Sequence, residues 1–528
     1  MVSVIVGLFV LLILLLSCGG GSVFFGLGGV YSFIDGLMFH CVSSCDFKLI
    51  LMLISCGVFC FGYVFHYISG GFESKIKLFL MMIFFSGIMM GLIFSGNLVT
   101  SLLLWEYLGL ASLFLILYYG VWESYRGGIV TLVSSRFGDV GLFFIVGYYL
   151  GMGSGVSLVI LAVAFWLVVV SKSASFPFIS WLLEAMRAPT PVSSLVHSST
   201  LVAAGVWFYL NYHDVVGYSV FNFGWVGDLV LMSGLAGIIV SGVCALSCND
   251  IKQVVALSTC SNISWVIVML SLGEVDLALV QLVVHGLSKC VIFILVGDYI
   301  SGWLGGQMVN GLMVSIIGSV RDFVYLSMLV LGLSGFPFIG LYFSKHLFFG
   351  AFYSVNFYNL SLIFLLCLCL VLSVAYCVRL VILFDGCTIG NVSSIRLFYR
   401  FNWFSIIVSW VISIYYSFGI VEGNLHLLSF DSIVLLFLLI IGSFGGLCAG
   451  FGVLTVKWFS WLMGLDIVVV LINWLVQVWY SLCALVQFRW EMKVLEYLFK
   501  LVGLFTFYWY ISIVLLNLCV IMLLVLIV

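Results

Sequence analysis

Five ionisable side chains interrupt long apolar stretches of the sequence. They are Glu106 in LLLWEYLGL, Lys172 in VVVSKSASFPF, His285 and Lys289 in LVVHGLSKCVIFI, and Lys345 in GLYFSKHLFFG. A charge at the centre of a bilayer costs at least ~2.5–3.5 kcal/mol, so it persists where it is paired or functional. A lysine in a low-dielectric site can release its proton reversibly, and histidines titrate near neutrality. The pattern therefore predicts proton movement, with Glu106 and Lys172 as the pair that could switch.

Spacing groups several of these residues on common helix faces. His285 and Lys289 are four residues apart, and Arg136 and Asp139 in SSRFGDVGLFF are three apart. His197 lies in SSLVHSST, a further buried titratable position. For Arg136 and Asp139 two interpretations stay open: members of the proton path, or a structural pair at a helix end.

Two other charged pairs favour a structural interpretation. Glu184 and Arg187 are three apart beside Pro189, which predicts a pair at the membrane surface. Asp250 and Lys252 in CNDIKQVVALST predict a loop pair at the start of a helix.

The overall composition indicates that the chain is embedded in a membrane. Of 528 residues, 65% are hydrophobic and 7% are charged, whereas soluble domains are about 25% charged. The mean hydropathy is +1.35, and the net charge of −2 gives no indication of a nucleic-acid partner. The bilayer is therefore the first predicted partner of the chain.

Apolar runs near twenty residues long recur from end to end, as expected for an all-α polytopic membrane protein. We expect about 15–16 transmembrane helices. The first run, 2–17, lacks a basic segment before it and is expected to be a retained helix rather than a signal peptide. The predicted regions are N-terminal helices (1–75), a first repeat (76–211), a second repeat (227–384), additional helices (403–456), a lateral helix (457–500) and a terminal helix (501–528).

An internal repeat supports this division. The motif FPFI occurs twice, 160 residues apart, with Pro177 and Pro337 inside long apolar segments. Proline-interrupted helices in two halves are a sequence pointer to a transport site. If the halves are inverted, Lys172 before the first break and Lys345 after the second lie on the same side of the midplane.

The last hundred residues contain a narrow polar stripe. On a helical wheel six polar residues of 457–500 fall within roughly 80°: Asp466, Asn473, Gln477, Tyr480, Gln487 and Glu491. This pattern fits a helix lying along the membrane against other helices, or an ordinary crossing with a polar seam.

The sixteen cysteines are expected to act as small hydrophobic residues. Pairs such as CVSSC and CGVFC have metal-like spacing but lack the runs typical of iron–sulfur ligation. The abundance of Phe, Leu, Val, Gly, Cys and Trp, all encoded by T- and G-rich codons, indicates the mutational bias of a small organellar genome.

Six motifs together resemble the antiporter-like membrane subunits of mitochondrial NADH:ubiquinone oxidoreductase (complex I). They occur in the family's order between about residues 98 and 350: LWEYLGLASLFLI, RFGDVG, SKSASFPFISWLLEAMRAPTPVSSLVHSSTLVAAGV, NDIKQVVALSTCSNISWV, HGLSKCVIFI and GFPFIGLYFSK. The resemblance implies two inverted five-helix repeats with broken helices, a lateral helix and a final spanning helix.

In the first repeat the resemblance assigns four residues. Glu106 matches the acidic member of a Glu–Lys pair and Lys172 the central lysine. Asp139 matches the aspartate of R-x-G-D, and His197 the histidine of P-T-P-V-S-x-L-x-H. Ser175 departs from the family, which commonly has Gln there.

In the second repeat three residues are assigned and two depart. His285 and Lys289 match the end of a His…His…Lys run, and Lys345 the lysine near the second broken helix. Gln281 stands where the first His of the run is common, and His346 where an acidic residue is common. These departures concern the relay position at Gln281 and the exit from this half at His346.

The resemblance implies a multi-pass, proton-translocating subunit of complex I in the mitochondrial inner membrane, with neighbouring antiporter-like subunits as partners. This chain is expected to hold no cofactor; NAD, FMN, iron–sulfur clusters and ubiquinone would bind partner subunits. A cation/proton antiporter subunit is the alternative. A purely structural scaffold is a third interpretation, but it leaves Lys172, Lys289 and Lys345 unexplained.

Overall fold

The computed structural model describes residues 44–68, 71–149, 158–220, 225–302, 320–337, 339–355, 360–385, 429–450, 474 and 476–481. The chain divides into two compact units, Met1–Gly464 and Leu465–Val528. In the second unit the described residues are helical and mostly exposed. The rest of the predicted lateral helix lies outside the described residues, as does the predicted terminal helix 501–528.

The first unit consists of helices, and no β-strand occurs among its described residues. The α-helices are α1 (Ser44–Tyr67), α2 (Phe72–Ile93), α3 (Leu98–Ile116), α4 (Trp122–Gly147), α5 (Leu158–Ser173), α6 (Ser180–Ala185), α7 (Thr190–Val192), α8 (Leu201–Val220), α9 (Trp225–Ser247), α10 (Ile251–Ser271), α11 (Val275–Gly302), α12 (Val320–Ser334), α13 (Tyr342–Val355), α14 (Leu360–Asp385) and α15 (Ser429–Gly450). A π-helix, Ser193–Thr200, joins α7 to α8.

Nine of the described helical segments are long and apolar enough to cross a membrane. The predicted all-α, multi-pass membrane fold is thereby confirmed. The predicted total of 15–16 helices also counts runs such as 2–17 and 403–421, which lie outside the described residues. The long run 345–384 contains parts of two helices, α13 and α14.

Two successive sets of five membrane units follow one another along the chain. The first half (α2–α8) and the second half (α9–α14) each contain a broken helix as the fourth unit: α5/α6 and α12/α13. The first break includes Ala174 in the left-handed region at φ 52° and a cis Phe176–Pro177 bond. The second break places Gly335 and Gly340 at φ +87° and +55°.

Small residues bring α4 against α5. A Cβ added at Gly138 would lie 2.1 Å from Ser171 Oγ, so a larger residue would have to displace this hydroxyl or separate the two helices. The contact lies one residue from both Asp139 and Lys172. Gly138 of RFGDVG therefore allows α4, which carries Asp139, to lie close to α5, which carries Lys172.

The two halves meet at the π-helix, which packs against α11. Its wide turns carry the serine-rich sequence SSLVHSST, and Thr200 Oγ1 donates to the Leu195 carbonyl five residues earlier at 2.9 Å. π-Helical turns inside α-helices occur frequently at functional sites. This one contains His197.

Candidate functional site

Arg136 connects two carboxylates of the first half, Glu106 and Asp139. Its Nη1 donates to Glu106 Oε1 at 2.9 Å and Oε2 at 2.6 Å, and it lies 3.3 Å from Asp139 Oδ2. Arg136 lies in the middle of α4 and Glu106 in the middle of α3, so this is no helix-end pair. Of the two interpretations left open by the sequence, the geometry favours membership of a charged network within the membrane.

Lys172 is buried beside this network. Its ammonium lies over the Trp105 ring, 5.2 Å from the centroid, and close to Gly109. Asp139, Glu106 and Arg136 are the charged groups that act on it, with Asp139 first. No carboxylate oxygen of a described residue lies within 4 Å of its Nζ. Lys172 therefore responds to Glu106 through space, while Arg136 makes the direct contact.

A small cavity joins Lys172 to His197. Its volume is ≈ 20 Å³, room for about one water molecule, and Gly109, Ser112, Ser171, Lys172, Trp181 and His197 are among its lining residues. His197 is fully buried, and neither ring nitrogen bonds to any residue that the structure describes. A buried imidazole normally needs partners. The geometry thus allows a water to connect these two titratable groups.

Lys252 continues the series and corrects the sequence interpretation. It is buried, donates to the Ala188 carbonyl at 2.5 Å, and is the charged group that acts on His197. The predicted helix start at Asp250 is confirmed, because the helix begins at Ile251, but the predicted pairing of Lys252 with Asp250 is wrong, because Lys252 bonds to Ala188 instead. Ala188 lies in the turn between α6 and α7, and a residue before a proline is pushed out of the helical conformation, so its carbonyl lies outside the hydrogen-bond ladder of either helix.

A wider pocket lies at the N-terminal end of α10, beside Lys252. Its volume is ≈ 280 Å³, and its polar lining includes Glu123, Arg187, Asp250 and Gln253. Arg187 bonds to Glu123 and, from Nε at 3.2 Å, to Glu184, which confirms the predicted Glu184–Arg187 pair. Partial burial raises the pKa of the Asp250 carboxyl, and Arg187 opposes this effect. The pocket brings polar groups to the vicinity of a buried lysine.

Lys289 forms the corresponding centre of the second half. Its Nζ donates to the Val255 carbonyl at 3.1 Å and to the Ser258 hydroxyl, both on α10. His285, one turn earlier on the same helix, is fully buried, and the charges of Lys289 and Lys345 both act on it. Neither ring nitrogen of His285 bonds to a described residue. The three residues predicted for this half therefore come together.

Gln281 occupies a polar bridge between Lys289 and Lys345. Its amide nitrogen contacts Asn262 Oδ1 at 3.5 Å, and its oxygen accepts a bond from the Ser344 hydroxyl. Asn262 in turn donates to the Ser258 carbonyl at 2.8 Å. The side chain that departs from the family thus holds three helices through neutral hydrogen bonds.

Lys345 is bound at the second helix break. Its Nζ donates to the Ser334 carbonyl at 3.0 Å, the Leu333 carbonyl at 3.4 Å and Ser373 Oγ at 3.4 Å. It also lies over the Trp265 ring, 5.5 Å from the centroid. The adjacent His346 stacks on Tyr342 at 4.8 Å between ring centroids. The proline-broken helix supplies the carbonyls that the ammonium needs.

All seven sequence-predicted residues therefore lie in or beside two buried clusters, one in each half. Sequence reasoning missed the roles of Lys252, Trp105 and Trp265. A basic residue so near the helix start gave no signal of burial, and tryptophans are abundant, with 16 in the chain.

Buried lysines at helix breaks in two successive halves are a pattern typical of membrane proteins that transport ions. The NADH:quinone oxidoreductase/Mrp antiporter transmembrane family matches residues 95–371, more than half of the chain. The chain therefore belongs to the NADH:quinone oxidoreductase/Mrp antiporter family.

Curated relatives are similar to about half of the chain. The NADH-ubiquinone oxidoreductase chain 5 of Caenorhabditis elegans is 38% identical over 294 residues, 54% of this chain and 53% of the relative. The chain thus spans about half the length of the curated relatives it matches.

Solved structures show the same fold at low identity. A chain of the Mrp complex from Dietzia sp. superposes with a TM-score of 0.67 at 18% identity, covering 87% of this chain and 54% of that one. A chain of an archaeal membrane-bound sulfane sulfur reductase gives a TM-score of 0.62 at 17% identity, covering 83% and 90%.

Proposed function

We propose that this chain is a proton-translocating membrane subunit of respiratory NADH:ubiquinone oxidoreductase, complex I. The observation that carries the proposal is the series of buried basic residues through both halves, Lys172, His197, Lys252, His285, Lys289 and Lys345, with serines, amides and a water-sized cavity between them. Intramembrane ionisable residues are expensive, and function is their default interpretation. Relatives bearing the complex I name support the choice of complex.

In the first half, the Arg136 network would control Lys172. With Arg136 on Glu106, both carboxylates are partly neutralised, and their hold on the Lys172 ammonium is weakened. A shift of Arg136 away from Asp139 strengthens that hold and favours a protonated lysine. Movement of one guanidinium thereby loads or empties Lys172, and the cavity passes the proton toward His197.

In the second half, no carboxylate of a described residue pairs with Lys289 or Lys345. Lys289 and Lys345 are held by carbonyl and hydroxyl oxygens, so the charge of each lysine acts on His285. Only one of two neighbouring basic groups is readily protonated in a low-dielectric site. A proton arriving at Lys289 therefore favours release from the Lys345 side.

A partner subunit is proposed to cover the Arg136 face. The Arg136 and Glu106 side chains are 46% and 24% exposed in the isolated chain, in the middle of their helices. Their neighbours Tyr107, Phe137 and Val140 are exposed and apolar. Lipid tails cannot satisfy an exposed ion pair. A neighbouring antiporter-like subunit with polar groups at this depth meets the requirement.

The proposal places the chain in the mitochondrial inner membrane. It assigns NAD, FMN, iron–sulfur clusters and ubiquinone to partner subunits and no cofactor to this chain. The names of the relatives and the codon-biased composition support the location. The cofactor assignment rests on the complex I resemblance.

The test is proton pumping per NADH oxidised in sealed membrane vesicles. Lys289→Met, which removes the charge but keeps an unbranched side chain, is expected to lower the ratio at least twofold while assembly persists on a native gel. The matched control is Lys77→Met, an exposed lysine of α2. A normal ratio in an assembled Lys289→Met complex would refute the proposed path.

The similarity to the Mrp complex favours one alternative, a cation/proton antiporter subunit. An antiporter exchanges Na⁺ for H⁺ without electron transfer. Vesicles given a sodium gradient and no NADH would then acidify or alkalinise in a Lys289-dependent manner. A pumping ratio that requires NADH and ignores sodium rejects this alternative.

A further inference from the structure

Each of the two lysines at the helix breaks contacts a tryptophan that is distant from it in the sequence. Lys172 Nζ lies 5.2 Å from the centroid of the Trp105 ring, and Lys345 Nζ lies 5.5 Å from that of Trp265. Ammonium groups within about 6 Å of a ring face are attracted by its quadrupole, most strongly for tryptophan and in a desolvated site. All four side chains are buried.

The two contacts occupy matching places in the two halves. Trp105 lies on α3 and Trp265 on α10, the second membrane unit of each half. The lysines belong to the fourth unit, at the breaks near Pro177 and Pro337. The residue after the tryptophan differs: Glu106 in the first half, Val266 in the second. The ring contact is thus common to both halves, whereas the carboxylate is not.

Core packing alone does not account for the orientation of Trp265. Its edge contacts Phe348 and Phe349 at centroid distances of 6.2 and 6.3 Å, as any large aromatic residue could. Its indole N–H bonds to none of the residues that the structure describes, although buried tryptophans usually find an acceptor. A phenylalanine would fill the core without an orphaned donor. The ring face on Lys345 is the feature that tryptophan adds.

We propose that Trp105 and Trp265 are positioning residues that hold the protonated forms of Lys172 and Lys345 at the helix breaks. The proposal rests on the proton-transfer function proposed above. The attraction requires the positive charge, so it vanishes when the lysine gives up its proton. Each ring therefore retains a loaded lysine and releases an empty one, which couples protonation to the position of the side chain.

The experiment compares Trp265→Phe with Trp265→Met in the assembled complex. Both replacements leave an apolar side chain smaller than tryptophan, but only phenylalanine retains a ring face. Protons pumped per NADH in sealed vesicles should stay near the wild-type value with phenylalanine and fall at least twofold with methionine. Trp105→Phe and Trp105→Met should differ in the same direction, by less, because the carboxylates also act on Lys172.

Trp207 provides the matched control. It is fully buried and contacts Tyr212 at 5.9 Å between ring centroids, and no ammonium lies over it among the described residues. Its Phe and Met variants should pump equally. Equal pumping by Trp265→Phe and Trp265→Met in assembled complexes overturns the proposal. If Trp265→Met prevents assembly, the Trp105 pair decides by the same criterion.

Two further variants separate this proposal from the function on which it rests. If Lys172→Met and Lys345→Met pump normally, the proton path itself fails. If both lysine variants lose pumping while the Phe and Met variants of each tryptophan pump equally, only the positioning role fails.

Discussion

The Arg136 guanidinium binds the Glu106 carboxylate through both oxygens, at 2.9 and 2.6 Å. The two residues lie on different helices, thirty positions apart, in the middle of each. Glu106 is therefore committed to Arg136 in this conformation, and its influence on Lys172 depends on where the arginine lies.

Replacing Arg136 alone should destabilise the chain more than replacing Arg136 and Glu106 together. Arg136→Gln removes the guanidinium that contacts both Glu106 and Asp139, so the two carboxylates face each other with no cation in direct contact. We expect a lower melting temperature of the solubilised complex, with at least half of the loss restored in the Glu106→Gln/Arg136→Gln double variant. Thermal scans of both proteins decide this. A double variant no more stable than the single one contradicts the bridging role.

Gly138 should tolerate no side chain. A Cβ there would meet Ser171 Oγ at 2.1 Å, so Gly138→Ala must separate α4 from α5 or displace the serine. Overpacking of this kind costs about 1–3 kcal/mol. Gly147→Ala, in the same helix with nothing within 4 Å, is the control. Adding Ser171→Ala should rescue the Gly138→Ala variant in part, since the nearest remaining Ser171 atom is 3.1 Å away. No rescue would argue against this contact as the cause.

Gln281 should be replaceable by histidine but not by leucine. Gln281→Leu removes the contact to Asn262 Oδ1 and leaves Ser344 with only the Leu341 carbonyl, and a buried unsatisfied group costs about 1–3 kcal/mol. Gln281→His keeps an acceptor for Ser344 and supplies a titratable ring. The pumping ratio should stay near wild type with histidine and fall with leucine. Unchanged pumping and melting in Gln281→Leu would show that the bridge is dispensable.

Lys252 should behave as a residue of the path rather than of a loop. Lys252→Met removes the donor to the Ala188 carbonyl and the charge that acts on His197. Pumping per NADH is expected to fall at least twofold, with assembly judged by native gel. Lys48→Met is a comparison at a lysine bound to an exposed aspartate, Asp276. Similar, small effects of the two changes would place Lys252 outside the path.

The two helix breaks should respond oppositely to small substitutions. Ala174 adopts a left-handed conformation at φ 52°, which costs a non-glycine residue roughly 1–2 kcal/mol, so Ala174→Gly should be tolerated. Gly340→Ala would place a Cβ 2.6 Å from the Gly332 carbonyl oxygen and should destabilise the complex. Melting temperatures of the two variants provide the measurement. Equal effects would mean that neither break is conformationally constrained.

The sequence predicted the elements of this site better than their contacts. Pro177 and Pro337 indicated both breaks, and the spacing of His285 and Lys289 indicated their shared face, because these features are local to one helix. The bond between Arg136 and Glu106 was not predictable, since it depends on how α3 and α4 are rotated against each other. Lys252 was misread because CNDIK has the composition of a loop, whereas tertiary packing buries its lysine against a turn of the first half.

The breaks also have an electrostatic consequence. The Leu333 and Ser334 carbonyls that bind Lys345 are the last of α12, and Lys172 lies in the last turn of α5. Aligned peptide dipoles give a helix C-terminus a partial negative charge of about half an elementary unit. Lys345 therefore contacts a built-in counter-charge that no proton can neutralise, and Lys172 belongs to a helix turn that carries the same partial charge. The charge of an acidic side chain changes with pH and with neighbouring charges. The field of the helix end is fixed by the backbone, so it remains when the side chains around the lysine change their protonation.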